Sequence, residues 1–211
     1  MGETAVRARS GAVLVVVLVA AMGLGPWTNA LLWWGLGWAA LREWRKVEGT
    51  YRPDGISQAR DLGMGLVIAA VMGSMVAVGG WGEAYDRWRV MGLVFMIWAN
   101  DTGAYLVGKP WGKHKIWPAI SPGKSWEGLV GGLLAAAGVA AWMWGAEHAG
   151  VGVVTGLLAT AGDFTESAWK RARGIKDSGQ FLPGHGGVLD RFDGWLYAAP
   201  AYAVYWWLAG G

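Results

Sequence analysis

Apolar residues gather along this chain into long runs instead of alternating with polar ones. Runs approaching twenty residues fit helices that cross a bilayer. The first covers residues 11–25 and is rich in Val, Leu and Ala. Pro26 interrupts it, and a second covers residues 27–41. One helix over both would be about 46 Å long at 1.5 Å per residue, too long for an untilted span. The pattern therefore predicts two short helices joined by a tight turn at Pro26-Trp27-Thr28-Asn29. Five more runs follow at residues 62–80, 90–108, 129–145, 151–162 and 195–208, and Asn100 and Asp101 interrupt the run at 90–108. The predicted fold is all-α, a polytopic transmembrane helical bundle of about seven spans.

Composition supports a membrane setting. Hydrophobic residues make up 54% of the 211 and charged residues 16%, against about 25% charged in a soluble domain. A disordered chain is excluded, and so is collagen, because the 36 glycines follow no three-residue period. There is no Cys, hence no disulfide, thiolate metal site or Cys nucleophile. Trp27, Trp44, Trp81, Trp88, Trp126, Trp144 and Trp207 sit near the ends of the runs, as expected of an interfacial belt. Arg7 and Arg9 before an apolar stretch also resemble a secretory signal, but further spans follow at once, so the first span is expected to be retained.

The net charge of +3 is too small to point to nucleic acid, and the placement of the charges says more. With the N-terminus in the cytoplasm, the inner segments hold Arg7 and Arg9, then Arg42, Arg45, Lys46, Arg52 and Arg60. They also hold Lys109, Lys113, Lys115 and Lys124, then Lys170, Arg171, Arg173, Lys176 and Arg191. Only Arg87 and Arg89 are left outside. Seven spans thus satisfy the positive-inside rule and put the C-terminus outside.

The dense polar sequence lies in two of the inner segments and the span ends beside them. In the first, Asp101 falls within an apolar run, and an intramembrane carboxylate is a functional candidate by default. A helix–helix hydrogen bond with Asn100 is the bland alternative. Downstream, Ser121-Pro122-Gly123-Lys124-Ser125-Trp126-Glu127-Gly128 puts hydroxyls and a cation just before the fifth run. Free N–H groups at a helix start favour phosphate, although an ordinary N-cap accounts for the same residues. The P-loop spacing is absent.

In the second segment, Asp163, Glu166 and Lys170 share one helix face at i, i+3 and i+7. Leu182-Pro183-Gly184-His185-Gly186-Gly187 reads as a loop, and Asp190-Arg191-Phe192-Asp193 as the opening of the last span. Acidic residues there also complement a helix dipole. Oxygen ligands without Cys suit Mg²⁺. Carboxylates, clustered cations and such an ion form the inventory of phosphoryl or nucleotidyl transfer. From the residues alone, the chain reads as a membrane enzyme acting on a phosphorylated substrate, with the nucleotide undetermined.

Residues 167–193 read S-x-x-K-R-x-x-x-x-K-D-x-x-x-x-L-P-G-H-G-G-x-x-D-R-x-D. This resembles the signature of the phosphatidate cytidylyltransferase (CDP-diacylglycerol synthase) family. The upstream N-D-x-x-A-Y and S-P-x-K-S-x-E-G segments are similar to that family too, so the likeness covers roughly residues 98–195. It implies a reaction of CTP with phosphatidate giving CDP-diacylglycerol and pyrophosphate, with one or two Mg²⁺ ions. It implies that Asp163, Asp190 and Asp193 hold the metal, and that Lys170, Arg171 and Lys176 meet phosphate. Asp101, Ser121, Lys124, Asp177 and Arg191 would complete the substrate cavity, with His185, Gly186 and Gly187 shaping the loop over the nucleotide. Residues 1–97 would be N-terminal transmembrane helices and residues 98–211 the catalytic transmembrane region, within one integrated membrane domain. The expected setting is a bacterial plasma membrane, with a homodimer, phosphatidate in the cytoplasmic leaflet and a polar cavity facing the cytoplasm.

Two departures stand out. The N-terminal half is short for the family, and position 123 is Gly where a second Lys is usual, with Ser125 in place of Thr. Related CTP-using lipid enzymes, such as a polyprenol or phytol kinase or a synthase of CDP-activated ether lipids, are the nearest rivals. A transporter would need polar residues crossing to the far side, and no span has such a stripe.

Overall fold

The computed structural model describes residues 3–51, 58–181 and 186–210, with side chains from residue 9 onward. Arg52 and His185 lie outside the described residues, as does the side chain of Arg7. Among the described residues, seven long helices account for the seven apolar runs. They are α1 (Glu3–Leu24), α2 (Pro26–Tyr51), α3 (Gln58–Gly79), α4 (Arg87–Trp111), α5 (Trp126–Trp144), α6 (Ala149–Ala172) and α8 (Trp195–Leu208), with one short turn, α7 (Leu189–Phe192), before the last. Three stretches are long and apolar enough to cross a membrane: Gln58–Gly79, Gly82–Trp111 and Trp126–Trp144. Arg9–Leu24 is apolar but shorter. Val16, Leu31, Leu66 and Leu134 are more than half exposed, which suits a lipid-facing surface and would be costly as a contiguous patch in water.

The break between the first two helices falls one residue earlier than the sequence pattern predicts. Gly25 turns the chain at φ +141°, and Pro26 begins α2, where its missing N–H costs nothing. Thr28 Oγ1 donates to Ala21 O at 2.6 Å and ties the two helices together. The end of the chain also differs from expectation. Asp190 does not open the last span but sits in α7, and Asp193-Gly194 forms a turn before α8.

The polar loop before α5 is a small hairpin, in which β1 (Lys115–Trp117) pairs antiparallel with β2 (Ser121–Ser125). It is the one departure from an all-helical architecture among the described residues. Ser125 caps α5 by accepting from Gly128 N at 3.2 Å. Glu127 accepts from the backbone N of His114 at 3.3 Å, holding the hairpin to the helix.

The closest packing is α4 on α5, then α5 on α6. Small residues make it possible, since a Cβ at Gly132 would lie 2.6 Å from the Asn100 carbonyl. The N-terminal helices dock through aromatics. Trp33, fully buried on α2, packs 5.0 Å from Trp195 and 5.9 Å from Phe192, ring centre to ring centre. Buried Asn29 accepts from Trp33 Nε1 at 2.8 Å and donates to the Met75 carbonyl at 3.3 Å, so its amide is satisfied inside the bundle. Of the expected Trp belt, Trp44 and Trp144 are packing residues: Trp44 is buried, and Trp144 stacks among Tyr202, Trp206 and His148.

Candidate active site

Polar residues singled out in the sequence meet where the end of α6, the segment after it, α7 and the β-hairpin come together. The helical period brings Asp163, Glu166, Ser167 and Lys170 of α6 onto one face. Lys170 Nζ lies 2.6 Å from Glu166 Oε2 and 2.7 Å from Asp190 Oδ1. All three side chains are almost fully buried, so this is an internal charge cluster. Ser167 Oγ donates to Asp163 Oδ1 at 3.2 Å, and Asp163 Oδ2 pairs with Lys124 of β2.

Asp190 is heavily engaged. Its Oδ1 takes the Lys170 ammonium, and its Oδ2 accepts from Gly187 N at 2.7 Å, Ser178 N at 2.8 Å and Ser178 Oγ at 3.0 Å. Burial alone would raise the carboxyl. The Lys170 hydrogen bond and the Gly187 and Ser178 N–H groups outweigh it and hold Asp190 at about 2. Asp193, in the turn after α7, shifts the other way. Burial raises it first and the Asp163 charge second, against a 2.7 Å hydrogen bond from Gly194 N. Two neighbouring carboxylates thus differ because one has several donors and a cation and the other faces further carboxylates.

Beside this cluster lies a cavity of about 530 Å³ between α4, α5, α6 and the hairpin. Asp101, Lys109, Lys115, Lys124 and Asp163 bring charge to its wall. Gly108, Gly123 and Gly128 bring backbone close to its interior. A Cβ at Gly123 would have nothing within 4 Å, so the missing family Lys is not a steric necessity. Gly186 needs its left-handed φ of +83°, and a Cβ there would lie 2.7 Å from Asp190 Oδ2.

Asp101, Lys124, Asp163 and Asp193 are therefore brought together, as are Lys170, Asp190 and Gly187. Ser121 begins β2, half-buried. Arg171 points away from the cluster, exposed, and donates to the Ile175 carbonyl at 2.9 Å. Lys176 and Asp177 are exposed on the segment after α6, and Arg191 is exposed on α7. Among the described residues, no three carboxylate or imidazole side chains gather closely enough to hold one ion by themselves.

Sequence reasoning missed Glu43, Glu48 and Ser178. Glu48 is buried on α2, accepts from Trp169 Nε1 at 3.0 Å and pairs with Arg173. Its sequence signal, shared with Glu43, was an acidic residue among the Arg and Lys of the tail of α2.

The profile of the cytidylyltransferase family matches residues 57–209. The chain belongs to this family. Among curated cytidylyltransferases, it is 37% identical to the phosphatidate cytidylyltransferase of Pseudomonas aeruginosa over 191 residues, covering 86% of this chain and 68% of that protein. It is 33% identical to the enzyme of that name from Haemophilus influenzae over 192 residues, covering 84% and 67%. To the Staphylococcus aureus phosphatidate cytidylyltransferase it is 46% identical over 113 residues, covering 50% of this chain and 44% of that protein. The chain thus spans less than half the length of that last relative.

Proposed function

We propose that this cytidylyltransferase-family protein transfers the cytidylyl group of CTP to phosphatidate, giving CDP-diacylglycerol and pyrophosphate. A non-bridging oxygen of the lipid phosphate attacks the α-phosphorus of CTP, and the bond to the β,γ-pyrophosphate breaks. The lipid phosphate is already ionised near neutral pH, so no base is required. The observation that carries this reading is the charged cavity wall, where Lys124 pairs with Asp163 and Lys109 and Lys115 line the same cavity as Asp101. Cations there meet phosphate oxygens and neutralise charge in the transition state.

The donor chemistry fits a divalent cation. Asp163 and Asp193 would supply oxygen ligands: burial and then the Asp163 charge raise Asp193, and a bound cation would relieve that repulsion. Mg²⁺ commonly takes one or two carboxylates and completes its shell with water and substrate phosphates, so a cluster of three is not needed. When bound, the ion would neutralise phosphate charge. Asp190, with its oxygens already taken, serves in this reading to fix Lys170 and the loop. The setting we propose is a bacterial plasma membrane with seven spans, a cytoplasmic cavity, phosphatidate from the cytoplasmic leaflet, and a homodimer.

The test is purified protein in detergent with Mg²⁺, cytidine-labelled CTP and diacyl phosphatidate. Label should enter the lipid phase with wild type and not with Asp193→Asn. Absence of lipid label from folded wild type would sink the reaction, and label from folded Asp193→Asn would remove that residue from the site.

A further inference from the structure

The last turns of α2 extend past its apolar run and lie against the segment that joins α6 to α7. Glu43 Oε2 accepts from Ser178 Oγ at 2.9 Å and from Leu189 N at 2.8 Å. These donors stand at the two ends of the loop that contains Gly186 and Gly187. Ser178 is buried, and its hydroxyl lies between Glu43 Oε2 and Asp190 Oδ2, at 2.9 and 3.0 Å. One hydroxyl proton cannot serve both at once. The arrangement is completed by separate N–H donors: Leu189 N to Glu43, and Ser178 N and Gly187 N to Asp190.

The loop is shaped to receive this carboxylate. At Gly179 and at Gly187, a Cβ would overlap the Glu43 carboxyl group. Both points of approach have the one residue type that leaves room. Glu43 also lies outside residues 57–209, so the family profile assigns it nothing.

We propose that Glu43 is a positioning residue for the transfer reaction: its carboxylate, reaching across from α2, pins both ends of the α6–α7 loop and so fixes Asp190 against Lys170. The kinetic part of this inference rests on the reading of that loop as part of the active site. Anchoring α2 does not require Glu43, because the Trp33 packing and the Glu48–Arg173 pair already dock the helix. What Glu43 adds is the register of the loop, and a misplacement of about 1 Å in a catalytic group can cost on the order of 100-fold.

Three variants of the full chain test it. Glu43→Gln keeps an acceptor oxygen at the same reach. Glu43→Asp keeps the charge but draws it back by one methylene, and Glu43→Ala removes both. Gln should retain kcat within about threefold, while Asp and Ala lose roughly 10- to 100-fold in kcat. Amide hydrogen exchange should accelerate across residues 178–189 in Asp and Ala, with Gln near wild type and α5 unchanged. Unchanged exchange in Ala overturns the proposal. So does a kcat per folded molecule equal to wild type in both Asp and Ala. Should Ala fail to fold, Asp against Gln still separates reach from charge. If wild type has no turnover with CTP and phosphatidate, the reaction reading fails, and exchange alone decides whether Glu43 holds the loop.

Discussion

Replacing Lys170 with Met removes one ammonium and keeps most of the stem. That ammonium is shared between Glu166, 2.6 Å away, and Asp190, 2.7 Å away, with side chains only 11%, 8% and 5% exposed. At an effective dielectric of about 20, each contact is worth roughly 6 kcal/mol of gross attraction. Most of that offsets the cost of bringing three charges out of water. What the substitution exposes is the remainder, two buried carboxylates without their cation, and breaking a buried pair this way costs about 3–5 kcal/mol. Asp190 would still accept from Ser178 and Gly187, whereas Glu166 has no other cation within pairing distance among the described residues. Adding Glu166→Gln should therefore recover part of the loss. The assay is reversible unfolding in mixed micelles at neutral pH, followed by Trp fluorescence and far-UV circular dichroism. Acid provides an internal check. Asp190, held low at about 2, stabilises the fold fully above its unfolded value near 4 and loses that contribution as pH falls toward 2. This acid limb should shrink in Lys170→Met. A cost below about 1 kcal/mol, or further loss on adding Glu166→Gln, would refute the view of these three residues as one buried unit.

Two further outcomes are expected. Gly123→Lys should fit without destabilising the fold, because a Cβ there meets nothing within 4 Å, and should lower the KM for CTP by about 3- to 10-fold through an added charge-assisted contact. An unchanged KM in initial-rate assays would show that position 123 does not face the nucleotide phosphates. A reporter enzyme fused after α8 should read as external in intact cells, and a cytoplasmic signal would refute the seven-span arrangement.

The helices were legible in the sequence because lipid-facing and buried positions both demand apolar residues, so each helix leaves a run. Their ends were less legible. α2 continues ten residues past its apolar run, through Arg42 to Tyr51, because helical hydrogen bonding does not stop where hydrophobicity does. The turn at Gly25 was read one residue late because Pro punctuates sequence strongly while tolerating the first helical turn. Of the site, the face formed by Asp163, Glu166 and Lys170 follows from the helical period alone. The division of labour between Asp190 and Asp193 does not. At i, i+3 they look equivalent, and only the turn at Asp193-Gly194 and the donors from Ser178 and Gly187 separate them.

Glu43 and Glu48 make the same point over a longer distance. Their partners are 121 to 146 residues away in sequence, so no local spacing could have paired them. Both belong to a helix outside residues 57–209, which the family profile matches, yet each ends on a polar group within that range: Glu48 on Trp169 and Arg173, Glu43 on Ser178 and Leu189. An apolar surface fixes α2 against the bundle but is tolerant of small slides, since dispersion and burial have little direction. Hydrogen bonds to one buried and one half-buried carboxylate are directional and costly to leave unmade. The N-terminal half therefore supplies more than a membrane anchor. Its apolar run brings α2 to the bundle, Glu48 sets where along α6 it stops, and Glu43 holds the following loop against it.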